Sequence, residues 1–374
     1  MLKILVSVLA VATVANAQFL GKNAHGLPIF KIQLNDPAEH RFDETSLYFK
    51  DNVRKTIDAY LSLIPEVIFD IVNTVGGAIR YIQPEYYQEI DGMAAALDLD
   101  TNALMFMQYV NEFSAFCTSS IVRMADGTIV HDRNMDFAFP PLMRAILYEA
   151  KFYRGDEYVF EAVMFAGTNG VFTGMKSGAF SISLNNRKPS FRTDIFQLLT
   201  NVGALFTGSQ QISKLIRDTL LECGDYNCAF NRLSNTGIIC PGYLIVAGVG
   251  PNEGAVITRD RTGVAHLDQL SDSQWFLSQT NDDHWTGVCS ARCQASRSRI
   301  AKIGQKNITP HNLRHDVLEQ YPNLNEHGIY NTIMIPGKGV FDLETMESDL
   351  PDPDVNFLRP RSYAKYNFDD QFVF

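Results

Sequence analysis

The sequence predicts an α+β fold in which two β-sheets are stacked between helical layers. Apolar residues recur at helical spacing between positions 46 and 110, and short β-rich runs follow them. Helical periodicity returns between 192 and 235, and strand-like runs come after it. A chain of 374 residues with 46% hydrophobic content can bury a substantial core. Alternating groups of helices and strands favour layered packing of this kind.

The first 17 residues predict a secretory signal. Lys3 supplies a positive charge, an apolar run follows, and Ala15-Asn16-Ala17 forms a small-x-small cleavage site. We expect removal before Gln18 and a lumenal destination, either a lysosome or the outside of the cell. No other stretch reaches 18 uninterrupted apolar residues, so the mature protein is expected to be soluble in that lumen.

The segment between the signal and Cys117 is predicted to be mostly helical. Residues 18–43 look extended and irregular, with Pro28 and Pro37 among them. Residues 67–72 are unusually apolar for a surface helix. They are interpreted as core or, alternatively, as a lipid-facing hairpin.

Strands dominate after Phe137, as short runs rich in β-branched and aromatic residues. These runs are 145–148, 158–165, 170–174, 179–184, 243–248, 255–260, 275–280 and 329–335. Helices are expected within 192–235, at 298–303 and at 313–318. The net charge of −10 argues against nucleic acid as a partner.

Residues 117–137 carry the chemistry on which the functional prediction depends. Ala125-Asp126-Gly127 is a hairpin signal between two strand-like runs. Antiparallel pairing of those strands would bring Arg133 and Asp136 back beside Cys117. An arginine stabilises a thiolate, and a carboxylate can orient a proton acceptor. The alternative is a buried structural cysteine in a hairpin whose charges lie at the exposed end.

The six cysteines suggest two local disulfides in an oxidising compartment. Cys223 with Cys228 and Cys289 with Cys293 are the candidate pairs. Cys117 and Cys240 remain, and a disulfide between them would disable the nucleophile. Zinc held by the two close cysteine pairs is the other alternative, but no histidine flanks them at ligand spacing, so no metal is expected.

Four segments taken in order resemble the acid ceramidases and N-acylethanolamine acid amidases, which are N-terminal-nucleophile (Ntn) hydrolases of the choloylglycine hydrolase type. The segments are residues 117–119 with 133–137, then 170–187, 253–261 and 279–285. The resemblance covers most of residues 45–340. It implies an Ntn-hydrolase αββα sandwich with two antiparallel sheets between helical layers, and no cofactor.

The resemblance also implies an inactive precursor that cuts itself between Phe116 and Cys117. Residues 18–116 would form a helical α-chain and residues 117–374 a catalytic β-chain. The new α-amine of Cys117, with an ordinary pKa of roughly 8, would serve as general base. All six cysteines fall in the β-chain, so the two chains are expected to be held by packing alone.

Site residues carry over from the family pattern position by position. Cys117 matches the nucleophile, Arg133 the arginine beside the thiol, Asp136 the carboxylate that holds the amine, and Asn281 the oxyanion donor. A further family arginine aligns with Arg297, with Arg292 as the other choice. Alternatively, Arg133 and Asp136 form a surface ion pair and Asn281 is a turn residue.

Two further positions complete the sequence-based assignment. Asn186 replaces the acidic residue of the family's Asn-Glu-Arg segment, which raises a question about the speed of self-cleavage. Asn307 begins an Asn-Ile-Thr glycosylation sequon.

The resemblance implies a lumenal lipid amidase that hydrolyses ceramide to sphingosine and fatty acid, most active in mild acid. The alternatives are an N-acylethanolamine acid amidase and, less favoured, a non-catalytic lipid-binding relative. A membrane surface or a lipid-presenting helper protein would be the partner beyond the lipid itself.

Overall fold

The computed structural model describes residues 18–62, 79–114, 116–187 and 209–346. The predicted signal at 1–17 and the apolar run at 67–72 lie outside these residues. So does the part of the predicted helical region between 192 and 208.

The larger sheet has nine strands, in the spatial order β1-β2-β5-β6-β7-β8-β9-β10-β11. They are β1 (Gln18–Lys22), β2 (Pro28–Gln33), β5 (Leu147–Arg154), β6 (Glu157–Phe165), β7 (Thr173–Lys176), β8 (Phe180–Asn186), β9 (Gly242–Ala247), β10 (Gly254–Arg259) and β11 (Val264–Gln269). All neighbouring pairs are antiparallel except β2 and β5, which are parallel. The sheet is therefore mixed, not purely antiparallel as expected.

The smaller sheet has five antiparallel strands, in the order β12-β3-β4-β13-β14. They are β12 (Phe276–Gln279), β3 (Phe116–Arg123), β4 (Ile129–Asp136), β13 (Gly328–Ile335) and β14 (Val340–Thr345). Every residue of β4 is buried. This burial follows from its place at the centre of a sheet covered on both faces.

Helices cover the outer faces of both sheets. They are α1 (Asp43–Tyr48), α2 (Lys50–Leu61), α3 (Pro84–Leu97), α4 (Thr101–Ser114), α5 (Pro140–Arg144), α6 (Ile212–Glu222), α7 (Tyr226–Asn235), α8 (Ala291–Ile303) and α9 (Pro310–Asn312), the last continued by a π-helical turn, Leu313–Leu318.

Three buried apolar clusters define the layers. The first joins Val53 of α2 and Ile90 of α3 to Phe152 in the nine-stranded sheet. The second joins Ile300 of α8 to the five-stranded sheet, and the third lies between the two sheets. The order helix, sheet, sheet, helix confirms the predicted α+β sandwich.

The segment before Cys117 is joined to the rest of the fold by backbone hydrogen bonds. Within residues 18–43, expected to be extended and irregular, positions 18–33 form the β1–β2 hairpin, and β2 pairs with β5. Pro28 is compatible with a strand because it is the first residue of β2, where no ladder donor is required. Glu89 of α3 also forms a buried ion pair with Arg217 of α6. These contacts are non-covalent and add to the apolar packing expected between the two segments.

Among the described residues, no helix combines the length and apolar character needed to cross a bilayer.

Candidate active site

Cys117 lies at the start of β3, fully buried, with Arg133 beside its thiol. In the β3–β4 ladder, Cys117 is paired with Met135, and Ser119 with Arg133. Arg133 is therefore a diagonal neighbour of Cys117 on the same face of the sheet. Its Nη2 lies 3.2 Å from Cys117 Sγ, and Met135 Sδ lies 3.5 Å from the same sulfur. The hairpin thus places a cation against the nucleophile.

The position of the Arg133 guanidinium is determined by a second contact. Its Nη1 donates to the carbonyl oxygen of Phe172, at 2.7 Å, in the segment before β7. Burial raises the pKa of the Cys117 thiol, Arg133 opposes that effect, and the Asp136 carboxylate adds to it. In the intact chain Cys117 is therefore a thiol, and its activation requires a base.

Asn281 contacts the backbone of Cys117. It follows β12, which pairs with β3 and so ends close to the start of that strand. The Cys117 amide donates to Asn281 Oδ1 at 3.0 Å, and Arg292 Nη2 donates to the same oxygen at 2.6 Å. Asn281 Nδ2 donates to the carbonyl oxygen of Asn186 at 2.7 Å.

Asp136 is at the end of β4, paired across the ladder with Phe116. Its Oδ2 accepts from Arg292 Nη1 at 3.0 Å and from Asn325 Nδ2 at 2.9 Å. Its Oδ1 is buried and, within the described part of the chain, accepts no hydrogen bond. Burial raises the pKa of this carboxyl, an effect that Arg292 partly offsets. The carboxylate therefore flanks the peptide bond between Phe116 and Cys117 with one oxygen available.

Of the two candidate arginines in α8, Arg292 reaches the site. It bridges Asp136 and Asn281, whereas Arg297 Nη2 donates to the carbonyl oxygen of Ser278, at 2.8 Å. The two residues are five positions apart, so they leave the helix in different directions.

Both predicted disulfides form, between Cys223 and Cys228 and between Cys289 and Cys293. The second links the first turn of α8 to the residue before its N-cap. Cys117 belongs to neither disulfide. The cysteine pairs predicted to be disulfides are therefore not zinc ligands.

The described residues contain one group that could hold a metal ion, His266 with Asp268 and His284. No cysteine belongs to it, and none of its members contacts Cys117 in the interactions described above.

Relatives of known activity match most of the chain. The rat N-acylethanolamine-hydrolyzing acid amidase is 31% identical over 315 residues, covering 82% of this chain and 85% of the relative. The acid ceramidase of Macaca fascicularis is 30% identical over 356 residues, 88% of each chain.

A solved structure agrees with these matches. The Caenorhabditis elegans N-acylethanolamine-hydrolyzing acid amidase ortholog superposes with a TM-score of 0.55 at 32% identity, covering 59% of this chain and 93% of the other. The chain belongs to the acid ceramidase and N-acylethanolamine acid amidase family. Its sandwich is accordingly that of an Ntn hydrolase, and its chemistry that of an amidohydrolase. No model of a protein family matches the sequence.

The family's acidic position, occupied here by Asn186, lies at the end of β8 directly beside the site. Its backbone carbonyl, not its side chain, accepts from Asn281. Asn307, the predicted glycosylation residue, is exposed just after α8, as attachment of a glycan requires.

Two contributors to the site were not singled out from the sequence. Met135 lies inside the Arg-Asn-Met-Asp motif, and its alternation with Arg133 could have placed it on the face of Cys117. Asn325 lies in an irregular segment before β13 and carries no motif. Only the folded chain brings it to Asp136.

Proposed function

We propose that this protein is a lumenal amidase that cuts itself at Cys117 and then hydrolyses the amide bond of an N-acyl lipid, with ceramide as its substrate. The observation that carries the proposal is the placement of the Cys117 thiol 3.2 Å from Arg133, with its backbone nitrogen held by Asn281. A buried structural cysteine needs neither neighbour.

Self-cleavage is expected to begin with the thiol. Cys117 Sγ adds to the carbonyl carbon of Phe116, and the thiol proton passes to the departing nitrogen. The bond between the Phe116 carbon and the Cys117 nitrogen breaks, leaving a thioester and a free α-amine. Water then hydrolyses the thioester, releasing the Phe116 carboxylate and regenerating the thiol. The hydrogen bond from the Cys117 amide to Asn281 fixes the peptide for this attack.

The new α-amine supplies the base that the buried thiol requires. It takes the thiol proton, and Arg133 stabilises the thiolate. Asp136 Oδ1, buried and without a hydrogen bond in the described chain, is the acceptor we assign to the amine. Arg292 holds the other oxygen of the same carboxylate at 3.0 Å and so positions it.

Hydrolysis of the lipid then uses the same groups. The thiolate adds to the amide carbonyl, the protonated α-amine returns its proton to the leaving nitrogen, and water cleaves the acyl thioester. Asn281 Nδ2 is the proposed oxyanion donor, an effect worth roughly 3 kcal/mol in comparable sites. Nδ2 carries two N–H groups, and one of them donates to the Asn186 carbonyl in the intact chain, so the second is the one we assign to the oxyanion.

The partners we propose follow from the same scheme. The two chains, 18–116 and 117–374, form a heterodimer without a disulfide between them, because every cysteine lies in the second. We also propose that Asn307 is glycosylated. The protein acts in a lysosome or outside the cell, and it meets its lipid at a membrane surface or with the aid of a lipid-presenting helper.

N-acylethanolamines are the second candidate substrate. Two observations favour them: the 31% identity to the rat N-acylethanolamine-hydrolyzing enzyme and the solved ortholog at 32%. Substrate choice between amides that share an acyl chain is set by the walls that contact the leaving group.

The test compares purified protein with its Cys117→Ala variant, and uses Cys240→Ala as the matched cysteine control. Wild type and Cys240→Ala should show two chains and hydrolyse ceramide. Cys117→Ala should remain one chain with no amidase activity. Normal processing of Cys117→Ala would contradict the assignment of the nucleophile.

The substrate is assigned by measuring kcat/KM for ceramide and an N-acylethanolamine with the same acyl chain. A higher value for ceramide supports the proposal, and a higher value for the ethanolamide selects the second candidate. Binding of both lipids without hydrolysis would identify a lipid-binding relative.

A further inference from the structure

A cluster outside the active site brings two imidazoles and one carboxylate together. His266 and Asp268 lie two residues apart on β11, so their side chains share one face of the edge strand. His284 comes from the 3₁₀ turn that follows Asn281 in the chain. The three side chains are half-buried, between 12% and 30% exposed, so solvent reaches the cluster.

The distances within the cluster fit metal ligation better than strong ion pairing. His266 Nε2 lies 3.3 Å from Asp268 Oδ1, and His284 Nε2 lies 3.2 Å from Asp268 Oδ2. The three ligand atoms all fall within 4.8 Å of one another. Ligands about 2.0–2.1 Å from a tetrahedral zinc are separated by roughly 3.3 Å. A charge-assisted N–H···O bond would be about 2.7–2.9 Å.

The tautomer of His284 is determined by the neighbouring Gln279. Gln279 Nε2 donates to the carbonyl oxygens of Asp282, at 2.8 Å, and Thr280, at 3.3 Å, which fixes the orientation of the amide. Gln279 Oε1 therefore faces His284 Nδ1, at 3.1 Å, and accepts its proton. A neutral His284 then directs the lone pair of Nε2 at the Asp268 carboxylate.

Two electron-rich atoms 3.2 Å apart require a positive species between or beside them. Asp268 Oδ2 is shielded from solvent and accepts no hydrogen bond of good geometry from the described residues. Either a proton on His284 or a cation would satisfy this arrangement. A hydrogen-bond acceptor behind a ligating imidazole is a common feature of metal sites, because it orients the ring and raises its basicity.

We propose that His266, Asp268 and His284 bind a divalent cation of the zinc type. Two imidazoles and one carboxylate suit borderline metals, and the exposed side leaves a position for water. The guanidinium of Arg297 interacts electrostatically with Asp268. It therefore offsets part of the negative charge with which the carboxylate would attract the cation. Trp285 stacks on the His266 ring, with centroids 4.1 Å apart, and holds that ligand in place.

The bound ion would join two parts of the molecule that contact each other through side chains. His284 is three residues from Asn281, so the cation ties the edge strand β11 to the loop that carries the oxyanion donor. This inference concerns a second site and holds whether the lipid substrate is ceramide or an ethanolamide.

The test is zinc titration of the full protein after chelator treatment, by calorimetry at pH 7.5. Asp268→Asn keeps the shape of the carboxylate, and His266→Phe keeps the stack on Trp285. His315→Gln is the control, because His311 and His315 form an exposed pair, 4.3 Å between ring centroids, that could bind zinc nonspecifically. Near-UV circular dichroism verifies that each variant is folded.

We expect one zinc ion per wild-type chain at pH 7.5, with binding at least about tenfold weaker in both ligand variants. His315→Gln should bind as wild type does. The proposal is overturned if wild type binds no zinc at pH 7.5, or if both folded ligand variants bind it equally well. In those cases the cluster is not a zinc site.

Discussion

Two fully buried carboxylates in this protein show how the same chemical group serves structure in one place and chemistry in another. Glu89 of α3 has both oxygens bonded. Oε1 accepts from Arg217 Nη2 at 2.6 Å and from Arg41 at 2.9 Å, and Oε2 accepts from Asn169 at 2.9 Å and pairs with Arg217 Nη1. Asp136 has one oxygen bonded and the other without a hydrogen bond in the described residues.

The pKa directions of the two carboxyls are opposite. Burial acts to raise both. At Glu89 the two arginines more than offset it, so the pKa lies below its ordinary value. At Asp136 burial prevails over Arg292, and the pKa is raised. A fully bonded buried carboxylate holds two chain segments together, whereas an incompletely bonded one is available to bind a group that arrives later.

The largest expected effect is on catalysis, from Asp136→Asn. The amide keeps the shape but cannot hold a protonated α-amine, so kcat should fall by about a hundredfold or more. The thermal midpoint should fall less than in Glu89→Gln, because Arg292 is partly exposed and keeps its hydrogen bond to Asn281. Amidase assays and thermal melts of the same preparation measure both.

The control for this variant is Asp132→Asn, four residues earlier on β4 and equally buried. It should retain activity, since Asp132 is paired with Ser120 in the ladder and not with the residues of the Phe116–Cys117 peptide bond. Full activity of Asp136→Asn would remove Asp136 from the mechanism.

Glu89→Gln should produce the opposite result, a loss of stability with activity retained per folded molecule. Removing the charge leaves Arg217 buried without its counterion, which costs about 3 kcal/mol or more. Urea unfolding is best measured in the uncut Cys117→Ala background, where one chain unfolds and its stability does not depend on concentration. In processed wild-type background, size-exclusion chromatography should show the two chains separating.

Asp98→Asn is the matched surface change for Glu89→Gln. Asp98 pairs with Arg54 at 3.3 Å but is 83% exposed, so less than about 1 kcal/mol is expected. Asparagine also tolerates its positive φ of 56°. Equal losses in the free energy of unfolding of the two variants would mean that burial does not increase the contribution of the Glu89 ion pair to stability.

The last expected effect is a change in the pH dependence of stability from Asp132→Asn. Burial raises the pKa of Asp132 to about 7, so the folded chain holds a proton there that the unfolded chain has lost. The contribution of this protonated carboxyl to the free energy of unfolding is complete below about pH 4 and is lost as pH rises through about 7. The free energy of unfolding of the variant relative to wild type should therefore rise with pH across that window, by at most about 1.4 kcal/mol per pH unit.

His131 gives stability the opposite pH dependence. Burial lowers its pKa to about 3, so its contribution to the free energy of unfolding is lost as pH falls below about 6.5. It is present in both proteins and cancels in the difference. Urea titrations at several pH values between 4 and 8 measure the effect. Parallel profiles for wild type and variant would show that Asp132 ionises at its ordinary pKa in the folded protein.

Local sequence was sufficient to predict the centre of the site. The turn at Asp126-Gly127 and the alternation on either side determine the β3–β4 register, and that register alone brings Arg133 back to Cys117. The two disulfides were predictable for the same reason, since their partners are four and five residues apart.

Position in the tertiary structure decided what spacing could not. Arg292 and Arg297 lie in one helix, and which of them reaches Asp136 depends on the face that α8 presents to the five-stranded sheet. Asn325 reaches Asp136 across 189 residues of chain, and Glu89 reaches Arg217 across 128. A hairpin register is set by backbone hydrogen bonds between near neighbours. Contacts between distant segments are set by how whole layers pack, which no short window of sequence encodes.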